Sequence, residues 1–337
     1  MTNNIRIYTD LIADIKKLVS AARKHIAYNA NRELLNTYWH VGKLIIDRER
    51  NDNITEQSSR ALLIDLSKVL TLDIGTGFSR ANLFYMRLFY LANISGQTVS
   101  DRLTWSHWIE LLKIDDPLER SFYEKQSVAE NWSVRELKRQ KASLLFHRLA
   151  VNKNADGILQ LAKEGQILEE ENDIIKSPYI LEFLGISEDS SYSESLLEQQ
   201  IIDNLQKFLL ELGKGFAFIA RQFRIPINSK NYKVDLVFYH RILKCFVLID
   251  LKIDEVEHYD IGQMNMYLNY FATEQNVEDD NPPIGIILAK EKNEVMVEYA
   301  LGGITNNIFV SKYQLYLPDR QLLENRIKTI LEQREEH

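Results

Sequence analysis

The chain has 337 residues and a net charge of −7, with 45% apolar and 26% charged residues. This is the composition of a soluble globular protein, long enough for two ordinary domains that each bury a core. The opening MTNNIRIYTD lacks the basic-then-apolar build of a signal peptide, and no uncharged apolar run is long enough to span a bilayer, so a cytoplasmic protein with no membrane partner is expected. The single cysteine, Cys245, excludes an internal disulfide and a multi-thiolate zinc site; inside the run CFVLI it reads as a buried, inert thiol.

Charge is unevenly spread. Residues 1–155 hold 23 Lys and Arg against 17 Asp and Glu, a balance of +6, whereas residues 156–337 carry −13. A basic half beside an acidic half suggests that the basic half meets a polyanion, although surface charge also varies between domains for no such reason.

Residues 1–155 read as helices. Tyr8, Leu11, Ile12, Ile15, Leu18, Val19, Ala22 and Ile26 recur at spacings of three and four, forming one apolar stripe. A second helical segment covers 34–46. Ser79 is placed to cap a third, through Leu83, Met86, Leu88 and Leu91. Ser133-Val-Arg-Glu136 is a capping box opening a basic helix. Residues 156–190 turn acidic and Ser-containing and read as a connector, partly ordered, with the domain boundary inside it.

From 191 the pattern becomes mixed. A helix is expected over 194–212, stopped by Gly213. GFAFIARQFRI and YKVDLVFYH follow as strands joined by a turn at INSKN. KCFVLIDLK is apolar nearly throughout and reads as a central strand covered on both faces. A helix over 258–271 and the buried strand IGIILA complete an α/β domain with a mixed sheet between helices.

The chemistry concentrates at the end of the third strand. Side chains alternate along a strand, so Asp250 and Lys252 project from one face. Asp235 lies in the strand before, and a turn through 241–244 brings it beside Asp250. Two carboxylates held so close repel unless a cation sits between them, and oxygen ligands suit Mg²⁺, with Mn²⁺ as the other candidate. Such an ion polarises a phosphoryl oxygen and activates water, while Lys252 orients that water or neutralises growing charge. Of three acid-x-Lys triplets, Asp14–Lys16 and Glu136–Lys138 fall in helices; only Asp250–Lys252 ends an apolar strand preceded by another acid. A surface ion pair is the competing reading.

Other residues are candidates by position. Gln263 and Tyr267, four apart on the following helix, share a face that looks back at the strand ends, unless that face is simply packing. Glu198 is a candidate extra ligand, against the usual solvated helical glutamate. Arg221 and Gln222 either touch a nucleic-acid backbone or pair with nearby acids. His240, with no second His or Cys at ligand spacing, reads as a turn histidine.

ELGKGFAFIARQF, VDLVFYHRIL, FVLIDLK, DIGQMNMYLNY and PPIGIILAKEKNE, in this order, resemble the C-terminal domain of bacterial YhcG-like proteins of the PD-(D/E)XK nuclease superfamily, and Gln-x-x-x-Tyr resembles its RecB-type branch. ELLNTYWHVGKLI, FSRANLFYMRLFY, LTWSHWIELL and ENWSVRELKRQ resemble the helical N-terminal domain of the same family. The resemblance implies a restriction-endonuclease-like fold at 191–337, a metal held by Asp235 and Asp250 with Glu198 as the helix glutamate, Lys252 as catalytic lysine, and Gln263 and Tyr267 as the trailing motif. Asp250 stands where many such nucleases carry Glu. For residues 1–155 it implies a helical or winged-helix-like role in DNA binding, with Arg80, Asn82 and Arg87 offered to a major groove; helix-mediated dimerisation is the alternative. The expected protein is a Mg²⁺-dependent DNA endonuclease of defence or repair, a homo-oligomer working with partner proteins of a defence system. RNA stays open as a substrate. The alternative is a catalytically silent nucleic-acid-binding or scaffold protein on a nuclease fold.

Overall fold

The computed structural model describes residues 2–52, 55–94, 100, 102–151, 153–176, 178–187, 191–227, 230–317 and 319–335. These form two compact units, one of residues 1–120 with 127–137, the other of 121–126 with 138–337.

In the first unit, α1 (Thr2–Asn51) is one unbroken helix where the sequence suggested two. The stretch joining them, AYNANRE, contains neither Gly nor Pro, so nothing stops the helix there. From Leu11 to Ile26 the stripe of its first half stays exposed, from Val19 at 44% to Leu18 at 70%. Its second half packs on α2 (Glu56–Asp73) and α3 (Arg80–Ala92), with Ile45, Leu63, Leu83 and Met86 as the shared core. Gly42 allows the crossing, because a Cβ there would lie 2.0 Å from the Met86 carbonyl oxygen. Ser79 caps α3 as expected, its hydroxyl accepting the N–H of Asn82. α4 (Trp105–Leu111) follows, and α5 (Pro117–Glu130) and α6 (Val134–Ala142) contribute residues to both units. The Ser133–Glu136 capping box forms in both directions. Among its described residues this unit has helices and no strand, the helical one of the two forms expected.

The second unit adds α7 (Leu145–Ala150), α8 (Ala155–Glu164) and β1 (Tyr179–Ile180). The connector expected at 156–190 is therefore part of a folded unit, with Ile158, Leu161, Ile174, Tyr179 and Leu181 all buried; residues 177 and 188–190 lie outside the described ones. The expected helix at 194–212 is two, α9 (Glu194–Asp203) and α10 (Leu205–Leu212), separated at Asn204. β2 (Phe216–Ile227), β3 (Lys230–His240) and β4 (Cys245–Glu255) come next, and the turn expected between β2 and β3 includes 228 and 229, outside the described residues. Then follow α11 (His258–Glu274), β5 (Ile284–Glu291), α12 (Glu294–Leu301), β6 (Asn307–Gln314) and α13 (Arg320–Glu335).

The sheet order is β1-β6-β5-β4-β3-β2, antiparallel through β2, β3 and β4 and parallel from β4 to β1. Leu197, Ile201, Phe208 and Leu212 of α9 and α10 cover one face, packing on Leu236, Val247, Ile249 and Leu251. Ile261, Met264, Leu268 and Phe271 of α11 cover the other, over Val237, Leu248 and Ile287. β4 is thus apolar on both sides because both sides are buried.

A fully buried ion pair ties α7 to α10. Arg148 and Glu211 each have 0% side-chain exposure, with Nη1 2.6 Å from Oε1. All five Arg148 N–H groups find acceptors: the carbonyls of Ser143 and Pro178, the Ser143 hydroxyl and both Glu211 oxygens. Glu211 also accepts from Arg139 and the Ile180 N–H, and its carbonyl takes the Lys176 ammonium. Burial would push the Glu211 carboxyl up, but Arg148, Lys176 and Arg139 hold it below the usual value. Breaking such a pair leaves a buried unpaired charge, at about 3–5 kcal/mol. Glu211→Ala should lower the unfolding free energy measured by urea titration by that amount, and a value within about 1 kcal/mol of the parent's would show that the pair holds nothing together.

Candidate active site

The β3–β4 ladder runs from His240–Cys245 to Leu236–Ile249. One step further a side chain replaces the main chain, as Asp235 Oδ2 accepts the N–H of Leu251 at 2.8 Å. On its other edge, the β2–β3 register passes from Arg221–Leu236 to Phe223–Val234, with Gln222 and Asp235 between. Asp235 therefore sits where the β3–β4 ladder ends, while pairing to β2 continues on its other edge.

Asp250 and Lys252 alternate with Leu248 on the α11 face of β4, as period two requires. Asp250 is only 4% exposed. Lys252 Nζ lies 3.0 Å from Asp250 Oδ2 and 3.5 Å from Asp260 Oδ1. Burial, then the charge of Asp235, push the Asp250 carboxyl up to about 7, against the pull of Lys252. For Lys252, burial alone would depress the ammonium, but Asp250, Asp260 and Glu194 outweigh it and hold the group well above the ordinary lysine value. The three expected catalytic groups therefore converge.

Asp260 is a member that the sequence reading missed. It is buried in the first turn of α11, where Oδ2 accepts the Glu257 N–H at 2.9 Å and Oδ1 turns toward Lys252. The capping pattern Glu257-x-x-Asp260, five residues beyond Lys252, was the available signal.

Glu198 of α9 is buried and reaches the same cluster. Its Oε2 accepts from Gln222 Nε2 at 2.5 Å, and its Oε1 lies 3.0 Å from Arg221 Nε. Burial raises the Glu198 carboxyl; Arg221 lowers it and Asp235 raises it again. The same Gln222 nitrogen is 3.0 Å from Asp235 Oδ1. Of the two readings for Arg221 and Gln222, the geometry holds the second, pairing to acids. Gln222 does so from a φ of +49°, a left-handed conformation that costs a side-chain-bearing residue about 1–3 kcal/mol.

Tyr267 is wholly buried, and its hydroxyl donates to the Lys233 carbonyl at 2.9 Å while accepting from the Gln263 amide. Burial raises its pKa. These two residues face the strands as expected, but they work by joining α11 to β3 two residues from Asp235. His240 is structural: Nδ1 accepts the Leu243 N–H, so Nε2–H donates to the Lys214 carbonyl, and burial lowers its pKa. Burial pushes the Cys245 thiol up to about 12, an inert group.

In the first unit, the offer of Asn82 and Arg87 to a major groove needs correction. Arg87 Nε donates to both oxygens of Glu49, at 3.0 and 2.8 Å, and Asn82 is held by the Trp105 indole and the Gly77 carbonyl. Both side chains stitch helices together. Arg80 is exposed.

The acids are bridged in two pairs, Glu198 and Asp235 by Gln222, Asp250 and Asp260 by Lys252. Among the described residues no three of His, Cys, Asp and Glu already stand as a ligand cluster. The donor set still suits a hard divalent cation: every acid offers oxygen, and such an ion would relieve the repulsion that, after burial, raises Asp250. Asp235, Asp250 and Glu198 are the residues that would hold it. Among the described residues no helix is long and apolar enough to cross a membrane.

Residues 172–328 match the family described as the YhcG PDDEXK nuclease domain, and residues 14–148 match the DUF1016 N-terminal domain. The chain is 35% identical to "Putative nuclease YhcG" of Escherichia coli (strain K12), over 97% of this chain and 96% of that protein. Among solved structures it is similar to a repair endonuclease from Pyrococcus abyssi, at 21% identity and a TM-score of 0.26, covering 39% of this chain and 50% of that one. It is also similar to EndoMS in its apo form, at 16% identity and a TM-score of 0.26, over 39% and 49%. The matched part thus spans about half of each solved chain.

The raised Asp250 carboxyl has a thermodynamic signature. Between an unfolded value of 3.8 and a folded one of about 7, the native state binds the extra proton, so its contribution to stability is present below the first and lost as pH rises through the second. In EDTA, the stability of Asp250→Asn relative to the parent should rise with pH over that window, by on the order of 1 kcal/mol per pH unit at most. Urea melts from pH 4 to pH 8 measure it; a flat difference would mean that Asp250 ionises freely.

Proposed function

The chain belongs to the YhcG family of PDDEXK nucleases and is by that membership a phosphodiester hydrolase; on this premise we propose that it is a Mg²⁺-dependent endonuclease that cuts DNA. The observation that carries the reading is the convergence of Asp235, Asp250 and Lys252 where the β3–β4 ladder ends.

A divalent ion bound there would polarise a phosphoryl oxygen and lower the pKa of a bound water. Asp235 is oriented for ligation by the Leu251 N–H, which fixes one carboxylate oxygen and leaves the other to Gln222. Asp250 is preorganised by burial. Lys252, kept charged by three acids, is no proton acceptor; its ammonium is a donor for a phosphate oxygen or the attacking water. Tyr267 and Gln263 keep β3 and α11 in register, so that these groups stay where the reaction needs them.

DNA as the target is supported by the positive balance of residues 1–155, through contact with the phosphate backbone. A cytoplasmic location, a role in defence or repair, and a homo-oligomer presenting one site to each strand belong to the same reading.

Purified protein should nick or cut DNA with Mg²⁺ or Mn²⁺ and fall silent in EDTA. Asp235→Ala with Asp250→Ala should abolish cleavage while retaining DNA binding, and Lys252→Ala should slow it by roughly 10²–10³. Linear, branched and single-stranded DNA and RNA substrates, each with metal and EDTA arms, make the test. No metal-dependent cleavage of any of them would end the proposal.

A further inference from the structure

Four described residues other than glycine have positive φ: Asn131, Leu144, Gln222 and Lys244. Three of them sit at ends, where such a backbone is ordinary: Asn131 closes α5, Leu144 opens α7, and Lys244 lies in the turn between β3 and β4. Gln222 alone lies inside a strand. Glutamine has no side-chain feature that favours the left-handed region, unlike Asn or Gly. Something must reward it there.

What the turn of the backbone achieves is visible in the contacts. It brings the Gln222 amide off the line of the ladder and between two carboxylates, 2.5 Å from Glu198 Oε2 and 3.0 Å from Asp235 Oδ1. An amide nitrogen carries two N–H groups, one for each acid. The neighbouring Arg221 holds the other oxygen of Glu198. A helix glutamate is thereby gripped at both oxygens by two consecutive residues of β2, and one of those residues also holds the strand aspartate. Without the grip, Glu198 would be joined to Asp235 by nothing but mutual repulsion.

We propose that Gln222 is a positioning residue of the cation site, whose strained backbone and amide bring Glu198 of α9 beside Asp235 of β3 as a third carboxylate. The inference rests on the metal-dependent reading above and goes beyond it. Gln222 is neither a ligand nor a contact to nucleic acid; it decides whether the helix carboxylate belongs to the site.

Mn²⁺ affinity, measured by calorimetry on the full chain without nucleic acid, tests it independently of cleavage. Gln222→Gly and Gln222→Ala both remove the amide and should weaken Mn²⁺ binding tenfold or more. Glycine should melt higher than alanine, reversing the usual order inside a strand, because only glycine accepts this φ freely. Gln222→Asn tolerates the backbone but is one methylene short, so it should bind as weakly as glycine; it also serves if the other two variants fold poorly. The discriminating arm is a double-mutant cycle with Glu198→Ala, where the Gln222 effect should vanish once Glu198 is gone. Undiminished affinity in the Gln222 variants, or losses that add to that of Glu198→Ala, would overturn the role of Gln222 while leaving the metal site standing. A parent chain that binds no Mn²⁺ would overturn both.

Discussion

The site is governed by like charge in a confined space. Asp235 and Asp250 lie in the middle of neighbouring strands, with Glu198 and Asp260 reaching in from helices on opposite faces of the sheet; Asp250, Asp260 and Glu198 are buried and Asp235 half-buried. Such a group of acids can persist only with compensating donors. The fold supplies two of unlike kind, a lysine ammonium between Asp250 and Asp260 and a glutamine amide between Glu198 and Asp235. Much else in the second unit serves this arrangement. The ladder opens where Asp235 needs room, α11 begins where Asp260 is wanted, and Tyr267 fastens that helix to β3.

An arrangement of this kind is selective about what enters. A phosphate approaching four acids meets repulsion unless positive charge precedes or accompanies it, and Lys252 alone does not neutralise the group. On the metal-dependent reading proposed above, that would couple substrate approach to cation occupancy.

The readability of the sequence divides along physical lines. β4 was legible because burial on both faces leaves an unbroken apolar run, and Asp250 and Lys252 stand out at its polar end. β3 and the capped starts of α3 and α6 were legible from alternation and from capping residues. What could not be read depended on tertiary context. α1 runs through a polar stretch that looked like a break, and only the lack of Gly and Pro there argued for continuity. α8 and β1 lie in a segment whose acidic composition resembles a linker, yet Ile158, Leu161 and Tyr179 are buried. The conformation of Gln222 carries no propensity signal at all, since a left-handed glutamine inside a strand is imposed by its partners. Asn82 and Arg87 were misread for a related reason: a polar residue near a helix start looks the same whether it faces solvent or braces a neighbouring helix.

The Arg148–Glu211 pair bears on where this polypeptide can be divided. The stretch matched to the nuclease domain begins at 172 and the one matched to the N-terminal domain ends at 148, which invites a cut between them. Any fragment starting at 172 would carry Glu211 into its interior with Arg139 and Arg148 left behind, an anion stranded beneath the sheet with Lys176 alone for company. Such a piece should be prone to aggregate, whatever the integrity of its catalytic groups. Starting at Ser121 instead keeps residues 121–126, α6, both arginines and their acceptor together, so the folded unit reaches about fifty residues ahead of its recognisable core.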